Sequence, residues 1–274
     1  MSLSVGLYIN TNYRPTSGPY KVYHNLRMGL KRLGINVLVN EIGDLTGCLH
    51  DNPQIMTHAP ETLLGPNIFI RPADRPELVA RYHNFLVPSA WVWDEYKKDL
   101  GPDKKIIVWP VGIDTDRFCV QKTHKHGCLL YFKNRSSEEL ATVQRMLGKF
   151  GQFYTLVIYG SYTEDNLLSC LGSCSYAVLL THTESQGIGY MEILSTGTPC
   201  FVLNQDNWRG RPATSTPYFD GSCGFVSNLE RDYEGDFRVF LGNLSSYSPR
   251  DYIFENHRLE ISAEKYFEIL KELK

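Results

Sequence analysis

Short apolar runs alternate with amphipathic segments along most of the chain. In the first half the runs fall at 5–9, 37–39, 85–87 and 106–109; in the second, at 128–132, 154–159, 176–180 and 200–203. Each is too short for a buried helix and lacks strict alternation, the pattern of a strand covered on both faces. The segments between them carry helical spacing. Val22, Leu26, Leu30 and Leu33 share one face, with Lys21, Arg27, Lys31 and Arg32 largely on another, and Gly34 stands where a helix would end. Ser136-Ser-Glu-Glu139 is a capping box that opens a helix continuing to about Lys149. Further helices are expected at about 91–100, 164–171, 236–244 and 257–273. Residues 40–66 are crowded with turn formers and suggest no element, 67–70 reads as a strand, and 224–226 as a short one. Strands alternating with helices predict an α/β fold with parallel sheets.

The most informative stretch is 183–202, T-E-S-Q-G-I-G-Y-M-E-I-L-S-T-G-T-P-C-F-V. It joins two buried strands through a glycine turn and a helix that Gly197 and Pro199 terminate. Its loop therefore sits at the carboxyl end of a strand, where open α/β sheets bind ligands. Glu184 precedes the helix and Glu192 lies about a turn inside it. The free N–H groups near Gly187, Ile188 and Gly189 suit an anion. A phosphate would sit on those amides while the carboxylates accept hydrogen bonds from hydroxyls, so a sugar nucleotide matches both chemistries; an ordinary solvated helix start is the plainer alternative. Lys133 and Arg135, just past the run at 128–132, offer two cations suited to a diphosphate.

Composition narrows the partners. The chain has 274 residues, 42% hydrophobic and 21% charged, with a formal net charge of −2, which gives no electrostatic reason to expect nucleic acid. No apolar run approaches the ~20 residues of a membrane span, and the first residues lack the basic region and cleavage site of a signal peptide. At most a peripheral membrane contact is expected. Seven cysteines form no C-x-x-C pair and no metal spacing, and their odd count suggests a reducing, cytoplasmic setting. The histidines, His58, His124 and His126 among them, are scattered. G-x-G-x-x-G is absent, so no nicotinamide or flavin cofactor is expected.

Glu184 to Glu192 with Gly187 between, followed by Ser195-Thr-Gly197-Thr-Pro199, resembles the E-x7-E signature of retaining GT-B glycosyltransferases, the large group that includes sucrose and trehalose synthases. Pro110-Val-Gly-Ile-Asp-Thr-Asp-Arg-Phe118 is similar to the same group's P-x-G-V-D-x-x-x-F segment ahead of the interdomain linker. The resemblance implies two Rossmann-like domains facing a cleft. These are an acceptor-side domain over 1–118 and a donor domain over 119–256, with a hinge at 119–127 and a closing helix at 257–274 that crosses back to the first domain. It implies a compact member that moves a sugar from a nucleoside diphosphate sugar to a glycan, lipid or small-molecule acceptor with retention and without a metal ion. Glu184 would bind donor-sugar hydroxyls and Glu192 the ribose. Lys133, Arg135 and the amides at Ile188 and Gly189 would hold the diphosphate, and Gly160, Ser161 and Tyr162 would contact the base. Gly18 in the first loop would approach the donor. Arg71 and Asp74 are acceptor-side candidates by location, where the group often has a histidine that this strand end lacks. Asp114-Thr-Asp116 spells the D-x-D of the other large glycosyltransferase fold, but in a turn before a linker it reads as turn-fixing. A sugar-nucleotide-binding protein without transfer activity and a GT-B epimerase remain the alternatives.

Overall fold

The computed structural model describes residues 3–14, 17–50, 61–120 and 126–274. The chain forms two compact units, Met1–Gly112 with His257–Lys274, and Ile113–Asn256. The expected hinge lies largely outside the described residues, as do His58 and His124.

The first unit runs β1 (Ser4–Tyr8), α1 (Gly18–Arg32), β2 (Asn36–Val39), β3 (Leu45–His50), β4 (Leu63–Asn67), α2 (Pro76–Arg81), β5 (Asn84–Val87), α3 (Ala90–Asp99) and β6 (Lys105–Val108). Its strands make one parallel six-stranded sheet in the order β2-β1-β3-β4-β5-β6. Ser17 caps α1, its hydroxyl accepting from the Tyr20 amide, and Gly34 follows at φ 74°, a left-handed turn that favours glycine.

Two strands depart from the sequence expectation. β3 lies inside the stretch that suggested no element, and the strand expected at 67–70 is instead β4, ending at Asn67. The glycines of these strands serve close approach rather than turning. A Cβ on Gly47 would lie 2.1 Å from the Tyr266 hydroxyl, and one on Gly65 2.2 Å from the Leu86 carbonyl oxygen.

The second unit runs β7 (Cys128–Lys133), α4 (Ser137–Lys149), β8 (Tyr154–Ile158), α5 (Glu164–Ser173), β9 (Tyr176–Thr181), α6 (Ile188–Ser195), β10 (Cys200–Leu203), a two-stranded hairpin of β11 (Asn207–Trp208) and β12 (Arg211–Pro212), β13 (Gly224–Ser227), α7 (Tyr233–Gly242) and α8 (Pro249–Asn256). Five strands pair in parallel in the order β13-β10-β9-β7-β8. The capping box at Ser136 and Glu139 is formed in both directions. β9 and β10 are buried throughout, and α6 buries seven of its eight residues, which is why its sequence is apolar nearly all round. Between α7 and the sheet, Phe237 and Phe240 of α7 meet Tyr176 of β9 and Phe201 of β10 in an aromatic cluster that closes the core.

The last helix, α9 (Leu259–Glu272), packs on α1 and β3 in the first unit. The approach is close enough that a Cβ on Gly29 of α1 would lie 2.5 Å from the Leu259 carbonyl oxygen. The buried Trp109 indole donates to the Ser262 carbonyl at 2.8 Å. The division between units falls after Gly112, not after Phe118. The reason is that the Phe118 carbonyl accepts from Ser195 (3.0 Å) and Arg250 (3.3 Å), and the Thr115 carbonyl from Arg250 (3.2 Å), all within the second unit. Among the described residues no helix is long and apolar enough to cross a membrane.

Candidate functional site

In the second sheet the chain leaves β7 for β8 on one side and returns to β9 on the other. The boundary between β7 and β9 is therefore a topological switch point, where crossovers diverge and leave a crevice at the carboxyl ends. The last paired residues there are Lys133 and Thr181. Immediately beyond them the His182 amide donates to the Lys133 carbonyl at 2.9 Å, and the Lys133 ammonium meets the Glu184 carboxylate at 2.6 Å. Lys133 also lies 4.2 Å from the centre of the Tyr159 ring, which adds a cation–π contact. Burial pushes the Glu184 carboxyl above its ordinary range, and the Lys133 charge and hydrogen bond pull it back.

The turn between Glu184 and α6 depends on one conformation. Gly187 sits at φ 82°, and a Cβ there would lie 1.9 Å from a ring carbon of Tyr190. Tyr190 is itself buried and locked: its hydroxyl donates to the Tyr218 carbonyl (3.2 Å) and accepts from the Tyr218 amide (2.8 Å). The first amides of α6, those of Ile188 and Gly189, follow directly. A Cβ on Gly189 would come within 2.9 Å of the Tyr131 hydroxyl. That hydroxyl lies 3.3 Å from the Tyr162 hydroxyl, their rings meeting edge to face. Burial first, then Tyr162, Glu184 and Glu192, hold the Tyr131 phenol well above its ordinary value, so it stays protonated. Glu192, on α6, is 2% exposed.

The structure thus gathers Lys133, Glu184, Tyr162, Gly187, Ile188, Gly189 and Glu192 around one switch point. Gly160, at φ 83°, and Ser161 form the turn after β8 that leads to Tyr162. Tyr131 and Tyr159 join them. In the sequence Tyr131 reads as core of an apolar strand, and its aromatic hydroxyl near the strand end is the one signal that sets it apart.

Arg135 is placed differently from expectation. Its guanidinium donates to both Glu139 carboxylate oxygens through Nε at 3.0 Å, and through Nη1 to the carbonyls of Thr181 and Leu203 at 3.1 Å each. With its side chain only 6% exposed, it is a strut tying the ends of β9 and β10 to the start of α4. Asp114 accepts from the amides of Asp116 and Arg117 at 3.3 Å, fixing its own turn.

Gly18, Arg71 and Asp74 belong to the first unit. Gly18 starts α1 with open space around its Cβ position, and Arg71 Nε stands 4.0 Å from Asp74 across a 3-10 turn (Pro72–Asp74). The switch point of the first sheet, between β1 and β3, is occupied by His50. Its Nδ1 accepts from the Asn10 amide (3.0 Å), so Nε2 carries the proton and donates to the Pro19 carbonyl (2.9 Å). Tyr13 packs edge-on against the ring, and burial lowers its pKa to about 4, leaving a neutral imidazole. The histidine at a strand end of this unit thus stands at the end of β3 and not at 67–70, and the turn formers around β3 hide it in the sequence.

No protein family matches the sequence, and no curated protein does. Among solved structures the chain is similar to the sucrose-phosphate synthase of Thermosynechococcus elongatus (12% identity, 98% of this chain and 99% of that one, TM-score 0.62). It is similar to the lipopolysaccharide outer core galactosyltransferase WaaB (12%, 98% and 99%, TM-score 0.63). It is also similar to Anabaena HepE in complex with UDP-glucose (8%, 98% and 100%, TM-score 0.60). The chain has the GT-B fold. Within GT-B, β7 through β13 form the second Rossmann-like unit, and the Lys133–Glu184 pair stands at that unit's switch point.

Proposed function

We propose that this chain is a glycosyltransferase that moves a sugar from a nucleoside diphosphate sugar to a glycan, lipid or small-molecule acceptor, with retained anomeric configuration and without a metal ion. The observation that carries this reading is the Lys133–Glu184 pair beside the amino end of α6. A cation, helix-end amides and a carboxylate are the complementary groups for a diphosphate joined to a polyol. When the glycosyl bond breaks, its electron pair stays on the diphosphate oxygen. Lys133 and the amides of Ile188 and Gly189 stabilise that growing charge, where preorganised donors have most effect. Glu184 then accepts from donor-sugar hydroxyls and Glu192 from the ribose. Gly160, Ser161 and Tyr162 flank the base, with Tyr131 holding Tyr162. Arg135 acts through the strand ends it ties together rather than on the diphosphate. HepE was solved with UDP-glucose, and a uridine donor is accordingly the first to test.

The test is turnover. The protein is incubated with UDP-, GDP- and ADP-sugars in the presence of a chelator, release of the diphosphate is followed, and the anomer formed is assigned by proton NMR. One donor should be consumed with retention, and Glu184→Gln and Lys133→Met should abolish consumption. Binding without consumption of any donor, across a range of saccharide and lipid acceptors, would reject transfer.

A further inference from the structure

A second cavity opens in the same unit, at the carboxyl ends of β10 and β13. It is a half-open hollow of about 410 Å³ lined by Asn204, Asp206, Val226, Ser227, Asn228 and Arg231. This volume falls within the ~300–1,000 Å³ of small-molecule sites. None of its residues belongs to the cluster around Lys133 and Glu184. Leu203 and Ser227 are the last paired residues of the two strands, and the Asn204 amide donates to the Ser227 carbonyl at 2.8 Å. Asn204 and Asn228 therefore stand as the equivalent first residues past two adjacent strand ends.

Both asparagine amides are fixed in advance. The Asn204 side-chain oxygen accepts from the Ser215 amide (2.8 Å) and the Thr214 hydroxyl (3.0 Å), and the Asn228 oxygen accepts from the Glu230 amide (3.1 Å). Each oxygen being engaged, the chemistry these side chains can bring to a ligand is that of NH₂ donors. Arg231 adds further donors, and Asp206 is an acceptor. Val226 is 42% exposed although it lies in a strand, and supplies an apolar floor. Two fixed amide donors, a guanidinium, one carboxylate and a small apolar patch suit a ligand whose groups both accept and donate and whose ring has a C–H face. An inorganic anion would meet the Asp206 charge, and an apolar ligand would leave the amides desolvated.

We propose that this cavity is a saccharide-binding subsite. It is joined to the donor cluster through one segment: the Thr214 hydroxyl donates to Asn204, and the Thr214 carbonyl accepts from the Glu184 amide at 2.9 Å. A saccharide held by Asn204 therefore stabilises the backbone on which Glu184 rides. The subsite requires neither a donor nor a diphosphate, so it stands or falls separately from the transfer reaction.

The test uses the full chain without nucleotide, with glucose, galactose and maltose as probes in saturation-transfer NMR. At least one saccharide should give a signal with the wild type and with Glu184→Gln. The Asp206→Ala/Asn228→Ala double variant and Val226→Asp should weaken it at least tenfold while their thermal unfolding stays within a few degrees of wild type. Absence of signal from all three saccharides overturns the proposal. So does a signal that persists in both cavity variants, or one lost in Glu184→Gln, which would place the saccharide at the donor cluster. Inorganic phosphate raising the melting temperature in the wild type but not in Arg231→Ala, with the saccharides silent, would reassign the cavity to an anion.

Discussion

Replacing Lys133 by methionine keeps most of the side-chain volume and removes the charge that faces Glu184. At 2.6 Å two unit charges attract by about 6 kcal/mol at an effective dielectric of about 20. Desolvation offsets part of that, and breaking a buried pair costs about 3–5 kcal/mol. With 19% and 14% of the two side chains still exposed, the expected loss is at the lower end, about 3 kcal/mol. Glu184→Gln in the same background should restore about 2 kcal/mol, because the stranded carboxylate is gone. The loss also depends on pH. Burial already raises the Glu184 carboxyl above its unfolded value and Lys133 opposes the rise, so Lys133→Met lets it climb further. A carboxyl with a raised folded pKa binds its proton more readily in the folded chain, which favours folding as pH falls through that value. The destabilisation by Lys133→Met should therefore be largest near pH 8 and shrink toward pH 5. Urea unfolding of the wild type, both single variants and the double variant at the two pH values measures the cycle. An equal loss at both, with no coupling between the sites, would refute the pairing argument.

Other consequences are as definite. Gly187→Ala must place a Cβ at φ 82° and against the Tyr190 ring; the left-handed backbone costs about 1–2 kcal/mol and the overpacking about 1–3 kcal/mol, which calorimetry should register as a lower melting temperature. His50 and His257 are both lowered by burial to about 4, so the unfolded chain binds protons that the folded chain refuses. Stability should fall as pH drops from about 6.5 to about 4, by up to about 3 kcal/mol per histidine, and His50→Gln should flatten that slope in acid titrations. Arg135→Met, which frees the Thr181 and Leu203 carbonyls, should destabilise the fold by a few kcal/mol and lower turnover with any donor, whereas a direct diphosphate ligand would lose donor affinity with stability unchanged.

The α/β alternation, the capping box of α4 and the βαβ unit around α6 could be read from the sequence because each is a local pattern. Apolar runs mark strands buried on both faces, and Ser136 and Glu139 are three residues apart. β3 and β4 escaped because their glycines and proline resemble turn formers, while the reason for Gly47 and Gly65 lies in Tyr266 and Leu86, distant in the chain. Arg135 looked like a phosphate ligand for the same reason. The carbonyls that claim it lie 46 and 68 residues further on, and no spacing rule reaches that far. Tyr131 becomes a site residue only once Tyr162, 31 residues later, is brought against it. Charge and motif point to the turn after Thr181, and pairing between strands decides which side chains stand beside it.

Thermal unfolding with UDP, GDP, ADP and CMP, each in excess, on the wild type and on Glu192→Gln, tests the donor site most directly. A ligand at ~100 times its dissociation constant adds ~2.7 kcal/mol, a shift of several degrees for a chain of this size. One nucleoside diphosphate should stabilise the wild type by that order and the variant markedly less. No shift with any of them would contradict the assignment of the Lys133–Glu184 crevice as a nucleotide-sugar site.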